Sequence, residues 1–167
     1  MEVGIHGGAA QASAPSLLDL SVVEEAARAS AWVDAVPSLF PGLSVSHVDT
    51  RPRAGDIRCI PMGGGTLWGV RSPPATVSYS PSRGPDAEGR RFSVMLQVSG
   101  RTIISQQRRL CALAADDICL IDEQFPFSLE GEGAGEILFL RMPRRAVLSR
   151  NPHLEHQTAV ALSLIHI

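Results

Sequence analysis

Between residues 91 and 142 the chain repeats one pattern: a short apolar run, then turn residues, about every ten positions. Phe92, Val94, Leu96 and Val98 alternate with Ser93, Met95, Gln97 and Ser99. Gly100 follows, then a second run over residues 102–106 and a third ending at Leu113. The polar turn Ala115, Asp116, Asp117 feeds the apolar run from Ile118 to Ile121. Phe125, Pro126 and Phe127 come next, then a glycine-rich turn and the run from Glu136 to Leu140. Runs of this length and spacing are too short for helices and mark a β-sandwich or barrel. The strand at residues 92–99 is apolar on one phase and mildly polar on the other, which fits a jelly roll whose interior takes a ligand. Alternation alone leaves open which phase faces inward.

Upstream, residues 43–48, 55–62, 66–70 and 75–80 read as four more strands, separated by a polar turn, the Gly63, Gly64, Gly65 hairpin and Ser72, Pro73, Pro74. The triple glycine lacks the Lys and helix of a phosphate loop and is read as a turn. Residues 16–36 read as a helix. Ser21 and Glu24 form a capping box, Val22, Val23, Ala26, Ala29, Trp32, Val33 and Val36 share a face, and Pro37 ends it. Residues 81–89 are a polar loop. Gln107, Arg108 and Arg109 open the strand that ends at Leu113, as a basic, solvated edge. Asp122 opens the turn after its strand. Pro143 starts a short helix with a solvated arginine face, which Asn151 and Pro152 break.

Several chemistries find no residues. All 15 basic residues are Arg, which removes Schiff-base and P-loop lysines. Net charge is −2, no footprint of nucleic-acid binding by this segment. Of the five histidines only His47 falls among the expected barrel strands, too few for a His-rich metal site; no metal, cofactor or catalytic residue is expected. Three cysteines without paired spacing argue for reduced, packed thiols. The start lacks the basic and apolar regions of a signal peptide, and no apolar window of about 20 residues is present. A cytoplasmic protein without membrane contact is the expectation.

The order strand, Gly, strand, basic strand, turn-Asp-apolar strand-Asp, aromatic-Pro-aromatic resembles the N-terminal ligand-binding domain of AraC-type bacterial transcription regulators. The resemblance covers roughly residues 31–148. The family usually writes Pro-Gly-Asp where this chain has Ala115, Asp116, Asp117; Asp tolerates the left-handed geometry the turn needs. The resemblance implies a mainly β, cupin-like jelly-roll barrel with an N-terminal helix and a C-terminal helical segment. The expected layout is a flexible tail over residues 1–15, a helix over 16–40, the barrel over 41–142 and the start of dimerisation or linker helices over 143–161. Residues 162–167 match the translated end of a transposon-based sequencing adapter, and are expected to be appended to a reading frame that natively continues into a helix-turn-helix domain. The implied function is effector sensing and dimerisation: a small molecule in the barrel, a homodimer, and DNA contacted only through the missing domain. The alternative is a stand-alone cupin-like binding protein or a metal-independent cupin enzyme. By residue type and strand position, Trp68, Arg71, Tyr79, Met95 and Gln97 are the candidate ligand-binding residues, Arg71 as partner of a ligand carboxylate.

Overall fold

The computed structural model describes residues 14–81 and 90–163. The tail over residues 1–13, most of the polar loop (82–89) and residues 164–167 of the suspected adapter segment lie outside the described residues.

Among the described residues twelve strands form two antiparallel sheets. The strands are β1 (Ser16–Asp19), β2 (Leu43–Val48), β3 (Asp56–Met62), β4 (Gly65–Ser72), β5 (Ala75–Tyr79), β6 (Arg91–Ser99), β7 (Thr102–Gln106), β8 (Arg109–Leu113), β9 (Asp117–Asp122), β10 (Phe127–Gly131), β11 (Gly135–Pro143) and β12 (Leu162–Ser163). One sheet runs β1-β3-β4-β11-β6-β9-β12 and the other β2-β5-β10-β7-β8. Two helices, α1 (Arg28–Leu39) and α2 (Arg144–Leu148), flank them.

The turns follow the sequence closely. Asp116 takes φ +70°, the left-handed geometry its short polar side chain tolerates. Gly42 has φ +97°, and a Cβ there would stand 2.7 Å from a Tyr79 ring carbon, so glycine serves both the turn into β2 and the approach of Tyr79.

Several expectations are corrected. Residues 16–40 are not one helix: residues 16–19 pair with β3 as an edge strand, two short 3-10 turns follow, and the α-helix starts only at Arg28. Asp19, not Ser21, supplies the cap, accepting from the Ser21 N–H at 2.9 Å. Nor does Pro37 end α1; it lies inside it, since a proline in the last turns removes only the bond to the Val33 carbonyl. Gln107 and Arg108 do not open β8. With φ +50° and +63° they form the two-residue hairpin between β7 and β8, the turn whose twist suits an antiparallel pair. Asp122 belongs to β9 rather than to a turn and is fully buried, and Arg144 is not on a solvated helix face: its guanidinium meets both Asp122 carboxylate oxygens at 2.9 and 3.0 Å.

The phase of β6 is the finding that positions the site. Ser93, Met95 and Gln97 are buried and face the interior, while Val94 and Leu96 are half-buried and Val98 is exposed. The mildly polar phase is the inner one. Across the sheet, Cys59, Trp68, Phe139, Met95 and Cys119 form one inward row and Ile60, Leu67, Leu140, Val94 and Leu120 one outward row. Phe92 is on the outward phase yet fully buried, because α2 packs against β6 and β11 there.

Two clusters fill the interior. One joins Met95, Ile104, Cys111, Leu113, Cys119 and Ile121. The other joins Leu20, Trp32, Val36, Phe40 and Ile57, and through it α1 closes one side of the barrel. On the other side Gln106 reaches from β7 to β9: its Nε2 donates to the Asp122 carbonyl at 2.8 Å and its Oε1 accepts from the Asp122 N–H at 3.2 Å.

The Cys111 and Cys119 sulfurs stand 3.9 Å apart, unbonded. Burial pushes both thiols up, Cys119 to about 12 from 9.0. A folded-state value above the unfolded one favours the neutral thiol, so its contribution is complete below pH 9.0 and is lost as pH rises towards 12. The wild-type urea midpoint is expected to fall above pH 9 relative to a Cys111→Ala/Cys119→Ala variant; parallel midpoints over that range would contradict this.

Candidate functional site

Two chambers lie inside the barrel, and Phe40, Leu43, Met95, Leu129 and Phe139 stand in the walls of both. The first, of about 50 Å³, adds Tyr79, Phe127, Ile121, Ser93, Glu123 and Arg141. The second, of about 90 Å³, opens towards Arg101, Thr102 and the Gly131–Gly135 turn. Each has room for a few waters, and neither for a benzene ring, which needs about 150 Å³. Met95, unbranched and adaptable, stands in the walls of both, and a change of its rotamer would enlarge the space.

The first chamber is apolar except at one end. There the Ser93 hydroxyl donates to Glu123 Oε1 at 2.6 Å, and Arg141 donates through Nε to Oε1 at 2.9 Å and through Nη2 to Oε2. Glu123 is 5 % exposed. A two-pronged guanidinium–carboxylate pair with a third donor satisfies a carboxylate at this depth. Tyr79 stacks on Phe127 with ring centroids 4.8 Å apart. Burial is the main cause that raises the Tyr79 phenol, Glu123 adds to it and Arg141 opposes it, so Tyr79 is a neutral hydroxyl group at neutral pH.

Beyond Arg141, at the same end of the barrel, lies a polar hollow walled by the Gly63–Gly65 hairpin, Thr66, Trp68, Arg91 and Arg141. Thr66, Arg141 and Ser93 share a cross-strand row, and Trp68 and Arg91 hold the same inward phase. Trp68 packs on Phe40 and Phe139, with centroids 4.4 and 6.2 Å away, and its buried Nε1 has no hydrogen-bond partner among the described residues.

Of the five residues singled out in the sequence, Tyr79 and Met95 line the first chamber and Trp68 the neighbouring hollow. Gln97 points inward and is fully buried, but its Nε2 donates to the Ser99 carbonyl at 2.7 Å and it lines neither chamber. Arg71 is on the outer face: it shares the outward phase of Leu67 and Gly69, its side chain is 63 % exposed, and it lies 3.6 Å from Glu136. It does not reach the interior, because β4 turns Trp68 and Val70 inward instead. The polar end of the chamber, Glu123 and Arg141, was not singled out. The available signal was an Arg in phase with Ile137 and Phe139 at the end of an apolar strand.

Among the described residues no group of three or more His, Cys, Asp or Glu side chains is placed to hold a metal ion, and no helix is long and apolar enough to cross a membrane.

The profile of the AraC-binding-like domain matches residues 32–164. No curated protein matches the chain. Among solved structures, the AraC-like transcriptional activator CuxR superposes with a TM-score of 0.71 at 18 % identity, over 90 % of this chain and 55 % of CuxR. The chain thus spans about half of that protein, and the likeness establishes the cupin-like jelly-roll fold. A putative ethanolamine utilization protein q from Salmonella typhimurium gives a TM-score of 0.44 at 7 % identity over 55 % of this chain and 71 % of that one. A Cupin_2 domain of an XRE family transcriptional regulator from Enterobacter cloacae gives 0.42 at 10 % identity over 52 % and 93 %.

Proposed function

Since the chain belongs to the AraC-binding-like domain family, the ligand-binding domain of AraC-type regulators, we propose that it is the effector-sensing and dimerisation module of a cytoplasmic bacterial transcription regulator. A small molecule enters the barrel, a homodimer forms, and DNA is contacted only through a domain beyond this chain. On this reading the module is no enzyme and takes no metal or cofactor. The observation that carries it is the first chamber: an apolar interior with stacked Tyr79 and Phe127, closed at one end by the buried Ser93–Glu123–Arg141 network. Apolar walls with a few fixed polar groups are what a small-molecule site needs. The effector acts only through its different affinity for two arrangements of the module. Support for the dimer comes from the outward rows of β3, β4, β11 and β6, where Ile60 is 45 % and Val98 37 % exposed.

The test is a thermal-shift screen of small organic molecules on the purified chain, repeated on Met95→Trp, which fills the chamber. Hits that raise the melting temperature of the wild type and not of the variant are expected, with the mass of a dimer by light scattering. A screen whose hits ignore Met95→Trp removes the barrel from the reading. Turnover of a bound hit would favour the cupin enzyme instead.

A further inference from the structure

Among the described residues, the hollow beside the glycine hairpin is lined by Arg91, Arg141 and Thr66 and by no carboxylate. Arg91 makes no ion pair and no side-chain hydrogen bond among the described residues, although its inward phase aims it at the end of the barrel. Arg141 already holds Glu123, so that pair is neutral as a unit, and among the described residues Arg91 adds one positive charge to the hollow. Thr66 adds a hydroxyl, and the Trp68 ring forms part of the wall. At Gly63 and Gly64 a Cβ would meet nothing within 4 Å, so a ligand reaches the hairpin backbone unobstructed. A guanidinium without a partner among the described residues, a hydroxyl and an open backbone turn are the chemistry that receives an oxyanion.

Arg141 lines both this hollow and the apolar first chamber. A molecule long enough to span Arg141 would meet an apolar wall on one side of it and cationic donors on the other, once the Arg141 side chain gives way. We propose that the effector is a small amphipathic oxyanion, its carboxylate or phosphate head held by Arg91, Thr66 and the glycine hairpin, and its apolar body lodged against Tyr79 and Phe127. This rests on the effector-binding reading above and names the ligand class of that site. Arg91 sets specificity for the head group, and Met95 yields to the body.

The experiment titrates the full chain with benzoate, phenyl phosphate, benzamide and inorganic phosphate, following tryptophan fluorescence, because Trp68 borders the hollow. Benzoate or phenyl phosphate is expected to bind at least about tenfold more tightly than neutral benzamide, and whichever leads identifies the head. Arg91→Gln is expected to abolish most of that preference while leaving the melting temperature unchanged, since Arg91 has no partner to lose among the described residues. Rising salt is expected to narrow the preference in the wild type. Equal binding of benzamide, or a preference that survives Arg91→Gln, overturns the proposal. Inorganic phosphate binding as tightly as phenyl phosphate also overturns it, because the apolar chamber then contributes nothing. Binding of benzamide alone, lost in Met95→Trp, would sink the oxyanion and leave the effector-binding reading standing; failure of all four titrants sinks the proposal, while the broader screen still decides the reading beneath it.

Discussion

Replacing Trp32 with alanine is expected to lower the unfolding free energy by about 3–5 kcal/mol, the range for emptying a large aromatic site in a core. Trp32 is 2 % exposed and packs with Leu20, Val36, Phe40 and Ile57. Gly55 belongs to the same contact: a Cβ there would stand 2.6 Å from Leu20 and 3.2 Å from Trp32, so the chain already approaches as near as it can and has little room to collapse into the space left behind. Among the described residues the indole N–H has no hydrogen-bond partner, so truncation strands no polar group there, and the effect is lost packing. Trp32→Leu, which keeps part of the volume, is expected to lose clearly less. Urea unfolding followed by far-UV circular dichroism measures both. A loss under about 1 kcal/mol for the alanine variant would mean that α1 is not part of the cooperative unit. The chamber walls would then change as well, because Phe40, at the C-terminal end of α1, lines both chambers.

The strands of the central block were legible because each carries its own stop signal: Gly100 after β6, the Asp116 turn before β9, the glycine turn before β11. Residues 16–19 were not. Four residues are too few to show a period of two, and the valines just after them, Val22 and Val23, extend the helical pattern, although Val22 is 83 % exposed and Val23 packs on the α1 cluster from the end of a 3-10 turn. Here tertiary pairing with β3 decides the conformation over local pattern. The site was legible by type and not by direction. Both phases of β6 are apolar enough to be buried, and the outward one finds partial cover from α2, so the sequence alone did not tell the lumen from the outer face. That ambiguity placed Arg71 among the candidates, and its real neighbour is Glu136 outside the barrel. Arg141 and Glu123, in contrast, look in sequence like ordinary strand-end charges. Only the cross-strand row through Thr66, Arg141 and Ser93 turns them into the polar end of a chamber.

Arg144→Ala is expected to lower the unfolding free energy by about 3 kcal/mol, because it leaves a buried carboxylate without its cation. Asp122 has 1 % of its side chain exposed and Arg144 20 %. Once the guanidinium is gone, the Gln124 N–H at 3.0 Å is the remaining donor to the Asp122 carboxylate among the described residues. Glu155, 3.3 Å from Arg144, loses a partner too, but its side chain is 42 % exposed and water replaces the contact. Asp122→Asn in the Arg144→Ala background is expected to recover much of the loss, since an amide keeps the Gln124 bond and carries no charge; a double-mutant cycle in urea measures the coupling. No recovery would show that Arg144 stabilises the fold by packing rather than by charge. The pair matters for the site because Asp122 and Glu123 are consecutive and serve opposite faces: Asp122 anchors the α2 segment outside the barrel, and Glu123 holds Arg141 inside it. Two adjacent carboxylates thus fix the end of β9 from both sides. The polar end of the chamber is rigid to the extent that the outer ion pair is intact.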